Sequence, residues 1–436
     1  MSGATQEKYL KAHSQSNSLF YVAIISILTI RICSYFMLSE DVTLTQLFKV
    51  VMRIATCGWV MLLLTNMGGN KEKPRITSEF SLSSILYIAY LVLGITSLLW
   101  TSSVNDSILH LLMDMETLFF SYLFIRMIVS KNHYLPGNNI RLSKTITVSI
   151  FVICSTFILG MIVNPEKFYR FTHGGEEARL GGFIINPNEL GMLIVIGIAT
   201  AIIELKHAFN KWFKWVMMAL LLYALVLTGS RSSMAGLLII ILFFATQSKT
   251  MRMRVLISTL LIFITPFVIL QLFIKQGDVS EVMNMTGRIP FWRDLLTINF
   301  PKEPLLGYGY MRIDYSDKFE SINSYTGAMT HNTFMQVLIG LGLVGLFLVF
   351  SQLAATVHAM SATADKDKRR LCIALFIPVL INSFTEFGIF GETNYGIMMY
   401  LFIVFNLTLK PVSQFVRIKP TDASGSDTVF RPSVIT

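Results

Sequence analysis

Four cationic or basic side chains in three separate connections offer the chemistry in this sequence: Arg179, Arg231, Arg288 and His331. Arg179 precedes a glycine pair in Glu176-Glu177-Ala178-Arg179-Leu180-Gly181-Gly182, a setting in which backbone can approach a ligand closely. Arg231 lies in Thr228-Gly229-Ser230-Arg231-Ser232-Ser233, where hydroxyls can satisfy the free amides of a helix start and an anion is welcome. Arg288 follows Thr286-Gly287, and His331 stands between Thr330 and Asn332. The planar guanidinium fork suits a diphosphate, because it donates two parallel hydrogen bonds where lysine offers a point charge. A histidine that is mostly neutral at pH 7 can accept a proton. Competing readings make Arg179 a surface residue paired with Glu176 or Glu177, Arg231 an interfacial anchor and His331 a structural residue.

Further polar and aromatic candidates surround these four. Asn186-Pro187-Asn188-Glu189 reads as a turn whose Asn186 or Asn188 caps a helix. Trp292, Tyr308 and Tyr310 fall in one long loop, where exposed aromatics suit stacking on sugar rings or resting in headgroups. Asn332 opens the next apolar run. No metal-ligand cluster, Walker loop, GxGxxG after a strand or DxD-type carboxylate pair appears on the outer face, so no cofactor is expected. Cys33, Cys57, Cys154 and Cys372 sit in apolar stretches and read as small buried hydrophobes.

The elements that must position these residues are hydrophobic. Of 436 residues 53% are hydrophobic and 14% charged, well short of the roughly 25% charge of a soluble domain. Runs of about 20 apolar residues recur, the length a helix needs to cross hydrocarbon. Twelve spans are expected, at about 19–38, 47–66, 82–99, 108–129, 145–163, 188–205, 212–228, 232–247, 255–274, 332–357, 371–387 and 395–409. A single broken helix competes with separate spans on either side of Gly229. Alternate connections hold 23 Lys and Arg in one set and 10 in the other, which by the positive-inside rule puts both termini in the cytoplasm. Residues 1–18 and 411–436 are then cytoplasmic tails, the second expected to be disordered from its Ser, Asp, Thr and Pro, and 19–410 is the membrane domain. The polar N-terminus shows no cleavage pattern of a signal peptide. The ten outer cations concentrate in 164–187, 228–231 and 275–331, which suggests an anionic ligand at that face, although a long loop also carries charge because it is wet. A nucleic-acid partner is excluded by this distribution, and membrane lipids are the surroundings expected. Within the spans, Asp114, Glu116 and Glu386 are functional candidates by default, with pairing to Arg31 or Arg53 as the structural alternative.

Over roughly 175–350 the sequence resembles the O-antigen ligase and O-antigen polymerase superfamily of bacterial envelope glycosyltransferases. The segments that carry the resemblance are Arg179-Leu-Gly-Gly-Phe183 with Asn186-Pro-Asn188, Thr228-Gly-Ser-Arg-Ser232, Thr286-Gly-Arg288 with Trp292, Leu306-Gly-Tyr-Gly309 and His331-Asn332. Nine residues after Asn332, Gly342-Leu-Val-Gly345 completes a pattern similar to that of the ligases in particular. The resemblance implies an all-α polytopic membrane protein of about 12 helices, glycosyltransferase C-like, with one large periplasmic loop, in the bacterial inner membrane. It implies transfer of a glycan from undecaprenyl diphosphate to lipid A–core at the periplasmic face, without metal or nucleotide. Carried onto matching positions, Arg179 and Arg288 would bind the diphosphate and His331 would position or deprotonate the acceptor hydroxyl. Arg231, Asn188, Asn332, Trp292, Tyr308 and Tyr310 would contribute to substrate binding. A polymerase, joining lipid-linked repeat units, is the alternative; a transporter is disfavoured because the strongest charge lies in external loops and no internal repeat is visible.

Overall fold

The computed structural model describes residues 3–67, 76–78, 81–134, 140–172, 177–205, 211–247, isolated helical residues between 251 and 266, 288–310, 330–386, 388–391 and 393–411. In chain order the helices are α1 (Gly3–Cys33), α2 (Val42–Met67), α3 (Leu82–Thr96, prolonged by a 3-10 turn Ser97–Leu99), α4 (Val104–Tyr134), α5 (Leu142–Val163), the single turn α6 (Pro165–Phe168), α7 (Pro187–Glu204), α8 (Lys211–Thr228), α9 (Arg231–Thr246), α10 (Arg288–Asp294), α11 (Thr333–Ala362), α12 (Lys366–Thr385) and α13 (Tyr395–Thr408). Short strands β1 (Ile76–Ser78) and β4 (Leu409–Pro411) pair antiparallel, as do β2 (Tyr169–Thr172) and β3 (Glu177–Leu180). Among the described residues six helical stretches are long and apolar enough to cross a membrane: 42–67, 82–99, 104–133, 142–163, 187–204 and 333–362. Shorter apolar helices lie at 18–33, 212–228, 231–246 and 395–408. Eleven of the expected spans coincide with helices, while the ninth, 255–274, falls largely outside the described residues, as do Glu176, Thr286, Gly287 and the tail from 412.

The break between α8 and α9 is a tight turn. Gly229 adopts φ 58° there, and Ser230 caps α9 by accepting from the amide of Ser233. Asn186 caps α7 with Pro187 in its first turn, as the Asn-Pro sequence predicts.

Hydrogen bonds join connections of the same alternating set to one another. At one end, Met37 N donates to Ile184 O, Ser102 N to Tyr308 O, and Arg179 Nε to Thr228 O. At the other, Ser81 meets Thr408, and Arg141 pairs with Glu204 at 2.9 Å. The two sets of connections therefore cap opposite ends of one helical bundle.

The expected span 332–357 is interrupted. Gly342 takes φ 62°, ψ −162° inside α11, and the loop Pro304–Gly309 docks into the break. In an unbroken helix the amides of Leu343 and Val344 would donate to Ile339 and Gly340. Here Leu343 N donates to Pro304 O (2.9 Å) and Val344 N to Leu305 O (3.2 Å), while Ile339 O and Gly340 O accept from Tyr308 N (3.1 Å) and Gly309 N (2.7 Å). A Cβ on Gly342 would run into the Leu305 carbonyl, and one on Gly307 into those of Ile339 and Gly340. Both glycine motifs thus serve a single backbone exchange. The segment after the break, 343–362, keeps 20 residues, enough to span by itself.

Two buried polar groups fasten the helices. Arg31 of α1 presents Nη1 and Nη2 to the two oxygens of Glu116 in α4, each at 2.6 Å, with Arg53 of α2 at 3.8 Å. Asp114, two residues earlier and so on nearly the opposite side of α4, accepts from the hydroxyls of Tyr310 and Thr393. The pairing with Arg31 and Arg53 thus holds for Glu116.

Candidate active site

Glu386 closes α12 and is 2% exposed, and four helix ends converge on its carboxylate. Its Oε1 accepts from Asn188 Nδ2 of α7 (2.9 Å) and from Arg288 Nη2 of α10 (3.1 Å). Its Oε2 lies 2.6 Å from Nδ1 of His331, just before α11. Asn188 turns its other atom, Oδ1, to Arg179 Nη2 at 2.8 Å, and Arg179 Nε donates to the Thr228 carbonyl at the end of α8 (2.8 Å). Arg288 Nη1 donates to the Thr385 carbonyl. The result is one continuous chain: Arg179, Asn188, Glu386, then Arg288 and His331 together.

Local structure explains how each member is held. β2 and β3 form a hairpin that puts Arg179 opposite Arg170, and the Gly181-Gly182 turn leads it into α7. Those glycines take φ 129° and 60°, and their Cβ positions would strike the carbonyls of Ile185 and Lys167. Their close approach is therefore to protein backbone, where the sequence had suggested a ligand. His331 is the one described non-glycine residue with positive φ, at 43°. A side chain held in the left-handed region costs about 1–3 kcal/mol and persists only where its surroundings over-determine it. Here Trp292 Nε1 donates to Thr330 O (2.7 Å) on one side, while Asn332 caps α11 on the other.

Asn332 is a brace. Its Oδ1 accepts from the amides of Phe334 and Met335, and its Nδ2 donates to Phe384 O at 3.2 Å, tying α11 to α12 beside Glu386. In the structure this side chain serves as a helix cap and an interhelical tie. The two tyrosines also differ from expectation. Tyr308 is buried with its hydroxyl on Asn299 O (2.9 Å), and Tyr310 is buried on Asp114. The loop carrying them is threaded into the α11 break, which removes their rings from the exposed position that sugar stacking would need. Trp292 packs beside Phe291, Leu295, Tyr308 and Ile339, anchoring α10 and with it Arg288. Arg231 opens α9 three residues beyond Thr228, and no hydrogen bond or ion pair ties it to the cluster among the described residues. Among those residues no group of three or more His, Cys, Asp and Glu is placed to hold a metal.

Glu386 is the member whose role the sequence concealed. Its signal was a carboxylate at the end of an apolar run, which fixed its depth without revealing its partners. What the arrangement can do follows from charge and tautomer. A carboxylate at Nδ1 fixes the imidazole proton there, giving Nε2 the lone pair of a base and stabilising the imidazolium formed later. The guanidinium of Arg288 keeps a second hydrogen on each terminal nitrogen beyond those given to Thr385 and Glu386, so it still has donors suited to a phosphate. Two guanidiniums and a His–carboxylate pair thus meet at one end of a polytopic helical membrane protein, an arrangement able to do acid–base chemistry beside an anion.

Residues 216–350 match the family model described as O-antigen ligase. This stretch is similar to the O-antigen ligase superfamily, the one whose motifs the sequence resembles. The family covers O-antigen ligases and polymerases, membrane enzymes of glycosyltransferase type that act in general on lipid-linked glycans and lipid A–core. Arg231, Arg288 and His331 fall within the matched range, and Arg179, Asn188 and Glu386 outside it. No curated protein matches the chain.

Proposed function

We propose that the chain is an O-antigen ligase of lipopolysaccharide biosynthesis, a multi-pass protein of the bacterial inner membrane with about twelve spans, cytoplasmic termini and its active site facing the periplasm. The observation that carries this reading is the convergence of Arg288 and His331 on the Glu386 carboxylate, with Arg179 joined through Asn188. The donor, a glycan on undecaprenyl diphosphate, is already activated. The protein must therefore orient two substrates and neutralise charge on the departing diphosphate. Arg179 and Arg288 supply that charge, with Arg231, three residues beyond the Thr228 carbonyl that Arg179 contacts, as a third cation. His331 Nε2 takes the proton of a lipid A–core hydroxyl as its oxygen bonds to the anomeric carbon. The carbon–oxygen bond to the diphosphate breaks with its electron pair, and undecaprenyl diphosphate leaves. Glu386 and Asn188 are positioning residues in this scheme. One displacement inverts the anomeric centre, and no metal or nucleotide enters.

Polymerisation of lipid-linked repeat units would use the same groups. The spacing from His331-Asn332 to Gly342 and Gly345 favours ligation. The test is a gel of lipopolysaccharide from a deletion strain beside one carrying His331→Ala. Bare lipid A–core in both supports the ligase. Core capped with a single repeat unit transfers the assignment to the polymerase, and a normal ladder in the deletion strain removes both.

A further inference from the structure

Trp100, Ser102, Lys302, Glu303, Leu306, Gly307 and Tyr308 line a groove of about 540 Å³, within the size range of small-ligand sites. It lies where the 3-10 turn that ends α3 meets the loop docked into α11. Ser102 N and Oγ both contact the Tyr308 carbonyl (3.0 and 3.2 Å), and Trp100 Nε1 donates to the Leu306 carbonyl (3.3 Å). The indole is thus pinned by its only polar atom and is half-buried, leaving ring surface as what it contributes to the groove. Lys302 and Glu303 are both exposed at the rim.

We propose that this groove is a carbohydrate subsite that holds a sugar of a lipid-anchored glycan away from the reacting bond. A sugar ring has one C–H face and a rim of hydroxyls, which matches a fixed indole beside an ammonium and a carboxylate. The opposite charges of Lys302 and Glu303 cancel, so the lining suits a neutral, hydroxyl-rich ligand better than an anionic headgroup, which would want excess positive charge. Leu99, Leu305 and Leu306 beside it are 88%, 62% and 42% exposed, apolar surface consistent with a position next to lipid tails. The groove shares the docked loop with α11, whose first residues follow His331, so it is on the same end of the bundle as the Glu386 cluster. The sugar contact expected of Tyr308 and Tyr310 falls here to Trp100. The inference rests on the ligase reading for its ligand, a glycan, which could belong to the donor or to the acceptor.

The test uses full-length protein in detergent and two probes released by mild acid from the lipopolysaccharide of the same bacterium: delipidated core oligosaccharide and O-polysaccharide. Binding is followed by saturation-transfer NMR on the saccharide protons. One of the two should bind wild type, and Trp100→Ala should weaken it about tenfold or more, the equivalent of roughly 1.4 kcal/mol. Trp100→Phe, which keeps a ring and loses the bond to Leu306, should stay within about threefold, and Glu303→Gln, on the surface, should weaken binding several-fold. Loss confined to core oligosaccharide identifies the acceptor arm, and loss confined to O-polysaccharide the donor arm. Absence of binding by wild type, or equal binding by wild type and Trp100→Ala, overturns the subsite. If His331→Ala leaves the lipopolysaccharide ladder intact while Trp100→Ala loses the saccharide, the ligase reading falls and the subsite stands.

Discussion

Replacing Glu386 with glutamine changes one oxygen for an amide nitrogen and leaves the volume of the side chain almost untouched. Two donors, Asn188 Nδ2 and Arg288 Nη2, converge on Oε1, so the glutamine carbonyl must stay there. Its NH₂ then faces His331 Nδ1 at the 2.6 Å position of Oε2. Two donors cannot meet there, so the imidazole must carry its proton on Nε2, where a base needs a lone pair. Wrong-tautomer substitutions of a buried acidic partner of histidine cost about 10⁴ in kcat, which at 1.36 per decade is about 5 kcal/mol of transition-state energy. The assay is transfer of lipid-linked glycan to lipid A–core by purified Glu386→Gln protein in detergent, with thermal unfolding measured alongside to confirm the fold. A kcat within tenfold of wild type would refute the argument that Glu386 sets the tautomer of a catalytic His331.

Arg288→Lys should lower turnover by about a hundredfold or more, because one ammonium cannot serve Thr385 O and Glu386 and still present a fork to a phosphate; initial rates at saturating donor decide it. Gly342→Ala should lose about 1–3 kcal/mol from its positive φ alone, before the clash with the Leu305 carbonyl is counted, and should show a lower melting temperature in detergent. Glu116→Gln should destabilise by about 3–5 kcal/mol, since it uncouples buried Arg31, while turnover per folded molecule stays near wild type; unfolding and activity measured on one preparation separate the two effects.

The helices were legible in the sequence because hydrocarbon demands long apolar runs, and eleven of twelve expected spans meet a helix. Caps were legible for the same kind of local reason: Asn186 and Ser230 do what their types and neighbours suggest. Arg179, Asn188, Arg288 and His331 do come together, although 152 positions separate the first from the last. What local pattern did not carry was the choice of partner. Glu386 and Glu116 look alike as carboxylates in apolar runs, yet one joins Arg288 and His331 and the other joins Arg31. Only the convergence of Asn188 of α7, Arg288 of α10 and His331 before α11 on the end of α12 distinguishes them. Tyr308 and Tyr310 misled for a related reason, since a loop that docks into a helix break is read from sequence as a wet one.

The bond exchange between the Pro304–Gly309 loop and α11 replaces two bonds of a straight helix with four to the loop. A break stitched in this way leaves no amide or carbonyl of these four helix positions without a partner at the depth where it sits. The loop behaves as an invading strand does, taking over partners that the helix would have used itself, and so holds a bend in a segment whose sequence reads as one straight span.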